Sequence, residues 1–517
     1  MQLKLSNGLL FGMLTLLSLQ LNAQTQTLEN VLTAKISGTG PIINEGINGY
    51  YTLYELAKKT KGKSDFQLSV FDQNLSPLSS KKFVMTSGTF SQEATFNGEY
   101  LLFKFQNLTD KKYAYKMFDK NAKLVRSVSK PAYYMDYVAG ADNVDQAENL
   151  HLYPLPGKGF VNYSTKNQKG KMSKTRYVID FFPNDSSSTW QANTPATSDF
   201  YEYADYLGQA GNTLLSLVIK REGLFDKDLE EHILGTDLKT GKKLFEYKLE
   251  DPDHTVSTLN VVADEGSTFS IIGLYYEKDA KSFKDKSMGL FAFTLDADGK
   301  VTSRKYVSWA SDVAKFLPMT EKGKVKDVGF IFFHRFVKTA DGSYFGIGEE
   351  YHREASAIGI AATVLARGNG GTSVLKAVTG DLYVFKFDQG FALQGVTAYD
   401  KARSNVSLPP GASMLSVRTT GLYMKSYGGF DYMFTQLSKD KTEFNSGYLD
   451  YERTKGNKGW KFGSVNYSDG KLANDKLALN SEATWFRVFP GKPGYVMVAE
   501  YFRKKKQMEF RMEKLNY

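Results

Sequence analysis

Apolar and polar positions along this chain alternate in short runs rather than at helical spacing. An aromatic-rich run, a turn built from Asp, Asn, Gly and Lys, and a second, more polar run follow one another about seven times. The turns are Asp72-Gln73-Asn74, Asp119-Lys120-Asn121, Asp237 to Lys242, Asp296-Ala297-Asp298-Gly299, Asp388-Gln389-Gly390, Asp469-Gly470 and, in degenerate form, Asn184-Asp185. Period-two runs bounded by such residues predict strands joined by tight turns. Their return at intervals of roughly 45 to 90 residues predicts radially repeated antiparallel sheets.

Further strands flank each turn, so that whole units divide into four. The second unit reads as Ser91 to Phe96, Glu99 to Gln106, Tyr113 to Asp119 and Leu124 to Lys130, and the fifth as Thr258 to Ala263, Thr268 to Tyr276, Met288 to Leu295 and Val301 to Trp309. The expected fold is all-β: a β-propeller of seven or eight four-stranded antiparallel blades, with eight preferred. The last unit supplies Trp485 to Phe489, Tyr495 to Phe502 and Met508 to Leu515 and stops one strand short. Val31 to Ser37 precedes a first unit that begins near Ile42, and is the expected N-terminal strand that closes the ring and removes a sheet edge. An insertion is expected at about residues 354–380, where small residues (Ala355 to Ala362) run into Arg367-Gly368-Asn369-Gly370-Gly371.

The first residues change the picture. Lys4, the apolar run Leu9 to Leu21 and the junction Asn22-Ala23-Gln24 predict a signal peptide over residues 1–23, leaving 24–517 as a single propeller domain. The run is short and carries Gly12, Thr15, Ser18 and Gln20, which argues against a membrane anchor, and no later segment has the length and apolarity of a span. The mature chain is therefore expected to have no transmembrane segment. Cysteine is absent, which excludes disulfides, thiolate metal sites and cysteine nucleophiles. The net charge of +10 favours anionic partners, yet the lysines are scattered beside turns, as solvated loops and protected edges require. Export argues against nucleic acid as a partner.

One local cluster invites chemistry: Phe332-Phe333-His334-Arg335-Phe336 with Glu349-Glu350-Tyr351-His352-Arg353-Glu354. A two-residue loop at Asp341-Gly342 would place Ala340 opposite Ser343, His334 directly across from Glu349, and Arg335 diagonal to Glu350 with His352 further along that face. On an inner strand these groups would be accessible from the channel. His334, Glu349 and Glu350 are then the candidate catalytic residues if the protein is an enzyme, and Arg335, Tyr351 and His352 the candidate ligand-binding residues. The reading favoured over this chemistry is a satisfied polar pair inside a sheet, with Arg335 and Glu350 as its structural partner. Two possible ligands do not make a metal site, and no metal or other cofactor is expected.

Weaker signals add little. Asp296-Ala297-Asp298-Gly299 lacks the later acids of a calcium loop. Asp185-Ser186-Ser187-Ser188-Thr189-Trp190 looks like a degenerate sialidase Asp-box, a motif that reports blade geometry. His151, His232 and His254 stand without a carboxylate or nucleophile arrangement in the sequence, and Trp190, Tyr275, Tyr276, Tyr423 and Tyr133-Tyr134 are candidate stacking surfaces for sugars.

With its Leu21-Asn22-Ala23-Gln24 junction and repeated Asp-x-Asn and Asp-Gly turns, the chain resembles uncharacterised secreted β-propeller-like proteins of Bacteroidota along nearly its whole length. The resemblance implies an envelope location, with periplasm favoured and the cell surface or medium as alternatives. The leading functional expectation is a non-enzymatic binding or scaffold protein for a glycan, peptide or envelope protein. The alternatives are a polysaccharide-acting hydrolase or lyase with its site at the channel, and a structural envelope component.

Overall fold

The computed structural model describes residues 25–516 apart from 44–45, 58–59, 133–150, 168–173, 224–228, 264–267, 283, 326–328, 357–374, 409–415, 427 and 455–456. The expected signal peptide lies outside the described residues, as do Tyr133 and Tyr134.

Eight antiparallel sheets follow one another as eight blades, seven of them running from an inner to an outer strand in chain order and the eighth completed on its outside by the first strand of the chain. Blade 2 is Thr89–Phe96, Tyr100–Asn107, Lys112–Asp119 and Leu124–Pro131, and blade 5 is Thr255–Ala263, Phe269–Tyr276, Gly289–Leu295 and Val301–Ser308. Blade 6 consists of Phe330–Lys338, Tyr344–Ala355, Leu375–Phe387 and Leu393–Tyr399, with a short extra strand, Ser404–Ser407, paired to the start of its third. Alternation accounts for these strands: Tyr113, Tyr115 and Met117 of blade 2 are buried while the side chains between them are only partly so. The core lies between blades. Tyr51, Phe66 and Leu68 of blade 1 pack on Phe103, Phe105 and Phe118 of blade 2 in one such layer.

The recurrent Asp turn has a common mechanism. Asp72 Oδ1 accepts the N–H of Asn74 and Ser76, both at 2.8 Å; Asp119 Oδ1 accepts those of Asn121 and Lys123; Asp388 Oδ1 accepts those of Gly390 and Ala392. Each carboxylate thereby satisfies two turn donors, and the residue three beyond it (Leu75, Ala122 or Phe391) takes the left-handed conformation. The sialidase-like stretch carries a shorter relative of this turn: Asp185 Oδ1 accepts the Ser187 N–H and hydroxyl, and Trp190 stacks on Phe181.

The ring closes through the N-terminus, but not with the expected segment. Thr25–Leu28 forms the outermost strand of blade 8, pairing Gln26 with Phe510 and Leu28 with Met508. Val31–Ile43 is instead the inner strand of blade 1. Its start is fastened to blade 8 by the Val31 N–H on Lys506 O, Tyr501 Oη on Leu32 O and Trp485 Nε1 on Ala34 O. The apolar Val31-Leu32 pair suits a buried inner strand, whereas Thr25-Gln26-Thr27 suits a half-exposed rim.

At the expected insertion, residues 357–374 lie outside the described residues. Glu354, Ala355 and Leu375–Gly380 belong to the lengthened second and third strands, which are anchored by pairs such as Glu354 with Lys376. A ten-residue helix, Val417–Ser426, bridges blades 6 and 7 and has no counterpart in the strand pattern. No helix among the described residues is long and apolar enough to cross a membrane.

Candidate functional site

The hairpin at Asp341-Gly342 closes on a loop one residue longer than the expected two-residue turn. The Thr339 N–H bonds Ser343 O, Lys338 pairs with Tyr344, and Ala340, Asp341 and Gly342 form the loop. A bulge at His334 then shifts the ladder once more, so that Glu349 lies opposite Phe332 and Glu350 opposite Ile331. Arg335 faces Ile347 and is not diagonal to Glu350. The same device recurs on other inner strands, where Gln92, Leu207, Leu259 and Met433 sit in equivalent bulges. An extra residue turns the side chain off the ladder. This rotation is what brings His334 Nε2 within 3.5 Å of Glu349 Oε2.

The pair is sealed, contrary to the expectation of channel access: the side chains of His334 and Glu349 are 1% and 0% exposed. Glu349 Oε1 lies 3.0 Å from Lys401 Nζ, and the carboxylate accepts the N–H groups of Asp431 and Tyr432 from the inner edge of blade 7 at 3.0–3.1 Å. Lys401 Nζ also meets Asp431 Oδ2 at 2.6 Å, and that carboxylate takes the hydroxyls of Thr379 and Ser404. Burial works to raise the Glu349 carboxyl, but Lys401, His334 and the Asp431 N–H outweigh it and hold it at about 2. Burial works to lower Lys401, and Glu349 and Asp431 outweigh that and keep it above its ordinary value. Burial and the adjacent Glu349 charge raise Asp431.

Glu349 has two functional cousins. Glu93 of blade 2 accepts the N–H of His151 and Leu152 at the start of blade 3, both at 2.9 Å, and Glu231 of blade 4 accepts the N–H of Thr258 in blade 5 at 2.6 Å. All three carboxylates are buried. Each one fastens the inner strand of the following blade, by satisfying backbone donors that would otherwise be orphaned.

The other candidates separate. Glu350 is buried under Tyr383, whose hydroxyl lies 3.3 Å from it, and its carboxyl is raised by burial and then by Asp381. Tyr351 is buried with its hydroxyl on Val417 O at 2.8 Å. Arg335 is exposed on the inner strand, close enough to blade 4 for its charge to act on Tyr206. His352 reaches Glu354 at 2.8 Å, and Glu354 also meets Lys376 at 3.3 Å. Of the other histidines, His232 lies 3.2 Å from Glu230 and His254 3.1 Å from Asp251, so both have the carboxylate that the sequence did not show. Tyr275 and Tyr276 are buried in sheet packing, and Trp190 gives its indole N–H to Leu238 O.

Tyr351 and His352 border a cleft of about 530 Å³ on the face where the inner strands begin. Phe330, Arg353, Glu354 and Arg403 of blade 6 line it, together with Lys286 of blade 5, Lys324 of the connection between them, and Val417 and Thr420 in the first turn of the helix. Lys286, Lys324, Arg353 and Arg403 are exposed, and Lys286 Nζ sits 5.8 Å over the Phe330 ring. The helix lies close because residue 421 is glycine: a Cβ there would come 2.7 Å from the Phe332 ring and 3.0 Å from the Tyr351 hydroxyl. Sequence reasoning reached Arg353 within the quoted motif and missed Lys286, Lys324 and Arg403, which are brought together from segments with no pattern in common.

No curated protein matches the chain. Among solved structures it is similar to the WD40 domain of SCAP from fission yeast, at 6% identity over 96% of this chain and 95% of that one, with a TM-score of 0.37. It is also similar to the β-propeller domain of the Trilobed protease from Pyrococcus furiosus, at 11% identity over 88% and 95%, with a TM-score of 0.35. A third is prolyl oligopeptidase B from Galerina marginata, at 8% identity over 93% of this chain but only 56% of that one, with a TM-score of 0.38. A model for a family of unknown function, DUF6770, matches residues 5–516, and this eight-bladed propeller belongs to that family.

Proposed function

We propose that the protein is an exported, non-enzymatic binding module that holds an anionic ligand in the basic cleft over blades 5 and 6. The carrying observation is the convergence of Lys286, Lys324, Arg353 and Arg403 on one cavity whose single acid, Glu354, is already engaged by His352 and Lys376. A concave surface of one sign focuses its field on an incoming anion, and the opening turn of the helix adds its positive end. His334 and Glu349 serve the blade joint in this reading: every oxygen of Glu349 is engaged within the chain.

Titration calorimetry with dextran sulfate against neutral dextran tests the reading. Dextran sulfate is expected to bind with an affinity that falls as salt rises, and neutral dextran to be silent. Replacing Lys286 and Arg403 together by Ala removes two charge-assisted contacts of about 1.5–3 kcal/mol each, so affinity should drop at least about a hundredfold. Equal binding by the parent and this variant would overturn the assignment of the site. Export rests on Lys4 and the Leu9 to Leu21 run. Protein recovered from the cell envelope should begin at Gln24 by N-terminal sequencing, and recovery there with Met1 retained would end that part.

A further inference from the structure

The basic cleft shares a wall with a second cavity. Lys286, Phe330, Tyr351 and Val417 border both. The second cavity is a slot of about 60 Å³ that runs inward between blades 5 and 6, closed by Leu259, Leu274, Trp309, Phe332, Phe333 and Leu422. Resting on the anion-binding reading above, we infer that the two act as one site for the carboxyl end of a peptide. The terminal carboxylate lies among Lys286, Arg353 and Arg403, and the last side chain, aromatic or branched aliphatic, fills the slot.

Three observations select this ligand. The slot has room for roughly four to six water molecules, which matches one ring or one branched side chain and is too short for a fatty-acyl chain. Its walls are mostly aliphatic and aromatic, with Asp285, Ser287, Lys322 and Arg418 as polar members, so an apolar side chain matches more of the lining than a sugar would. The cleft outside it is almost ninefold larger than the slot and far exceeds one carboxylate, so the ligand continues along the face as a chain. A slot for an apolar group beside a cluster of cations is complementary to an amino acid whose carboxylate is free.

The test uses the full mature protein and three acetylated tripeptides, each with two leading glutamates: one ending in phenylalanine, one in glycine, and the phenylalanine peptide as its amide. The phenylalanine acid is expected to bind at least tenfold more tightly than either of the others. Equal affinity for the phenylalanine and glycine acids overturns the role of the slot, and equal affinity for acid and amide overturns capture of the chain end. Both results leave the cleft standing if dextran sulfate still binds. Loss of dextran sulfate binding in the Lys286→Ala, Arg403→Ala variant with no response to any peptide overturns the peptide and keeps the cleft. Silence from dextran sulfate itself removes the underlying reading. Leu422→Trp, which fills the slot from the helix, should abolish the preference for phenylalanine over glycine while leaving the glycine peptide unaffected. Met319→Trp does the same from the opposite wall, should the helix variant fail to fold. Retention of the preference in a folded variant overturns the inference.

Discussion

A Lys401→Met variant is expected to unfold with about 3–5 kcal/mol less free energy than the parent chain at neutral pH, the cost of leaving buried charge without its partner. Methionine fills much the same volume, so little of the loss comes from packing. It comes from Glu349, fully buried, and Asp431 beside it, which lose the ammonium that lies 3.0 and 2.6 Å from their oxygens. The pH dependence identifies the cause. In the parent, the Glu349 carboxyl is held at about 2, below its ordinary 4.5, so its contribution to stability is complete above pH 4.5 and fades as pH falls toward 2. In the variant the two carboxylates share one site and hold a proton, so the gap between the proteins should narrow as the pH is lowered from 7 to about 3. Urea unfolding at several pH values measures this. A gap that is small, or constant with pH, would show that the cluster is not the joint described.

Removal of Thr25–Leu28 is the second large effect. A chain starting at Asn30 loses a four-residue ladder against Gln507–Lys514 and the contact of Leu28 with the layer between blades 8 and 1. The loss is expected to be about 2–4 kcal/mol from the backbone pairing alone. The exposed strand then offers unpaired N–H and C=O groups to other molecules, and edge-to-edge association should follow. Denaturant midpoint and light scattering report the two parts separately. An unchanged midpoint in a monodisperse sample would mean that the remaining contacts, such as Tyr501 with Leu32 and Trp485 with Ala34, hold the ring alone.

The fold was legible because its signals are local. An Asp that accepts two N–H groups of its own turn leaves the same residues in blades 1, 2, 5 and 6, and the alternation around Tyr113, Tyr115 and Met117 needs no distant partner to be read. The closing strand was misplaced by six residues because Thr25-Gln26-Thr27-Leu28 has one apolar side chain, while Val31-Leu32 is the stronger strand signal and belongs inside. His334 and Glu349 were paired correctly by the wrong geometry: the loop and the bulge each shift the register, and the bulge restores the contact by turning the imidazole. Their burial could not be read, since it depends on Lys401, Asp431 and Tyr432 arriving from other segments. The basic cleft was invisible for the same reason: Lys286, Lys324 and Arg403 are ordinary surface cations until the propeller brings three connections to one place.

The buried carboxylates Glu93, Glu231 and Glu349 join blade 2 to 3, 4 to 5 and 6 to 7, and the chain ends join 8 to 1. The remaining seams are filled by apolar layers, and the cleft opens over one of them, where Ile272 and Leu290 of blade 5 share a layer with Phe333 and Phe385 of blade 6. Anything bound in the proposed site would therefore touch two blades whose mutual contact is greasy, and its grip should be sensitive to how that layer is filled.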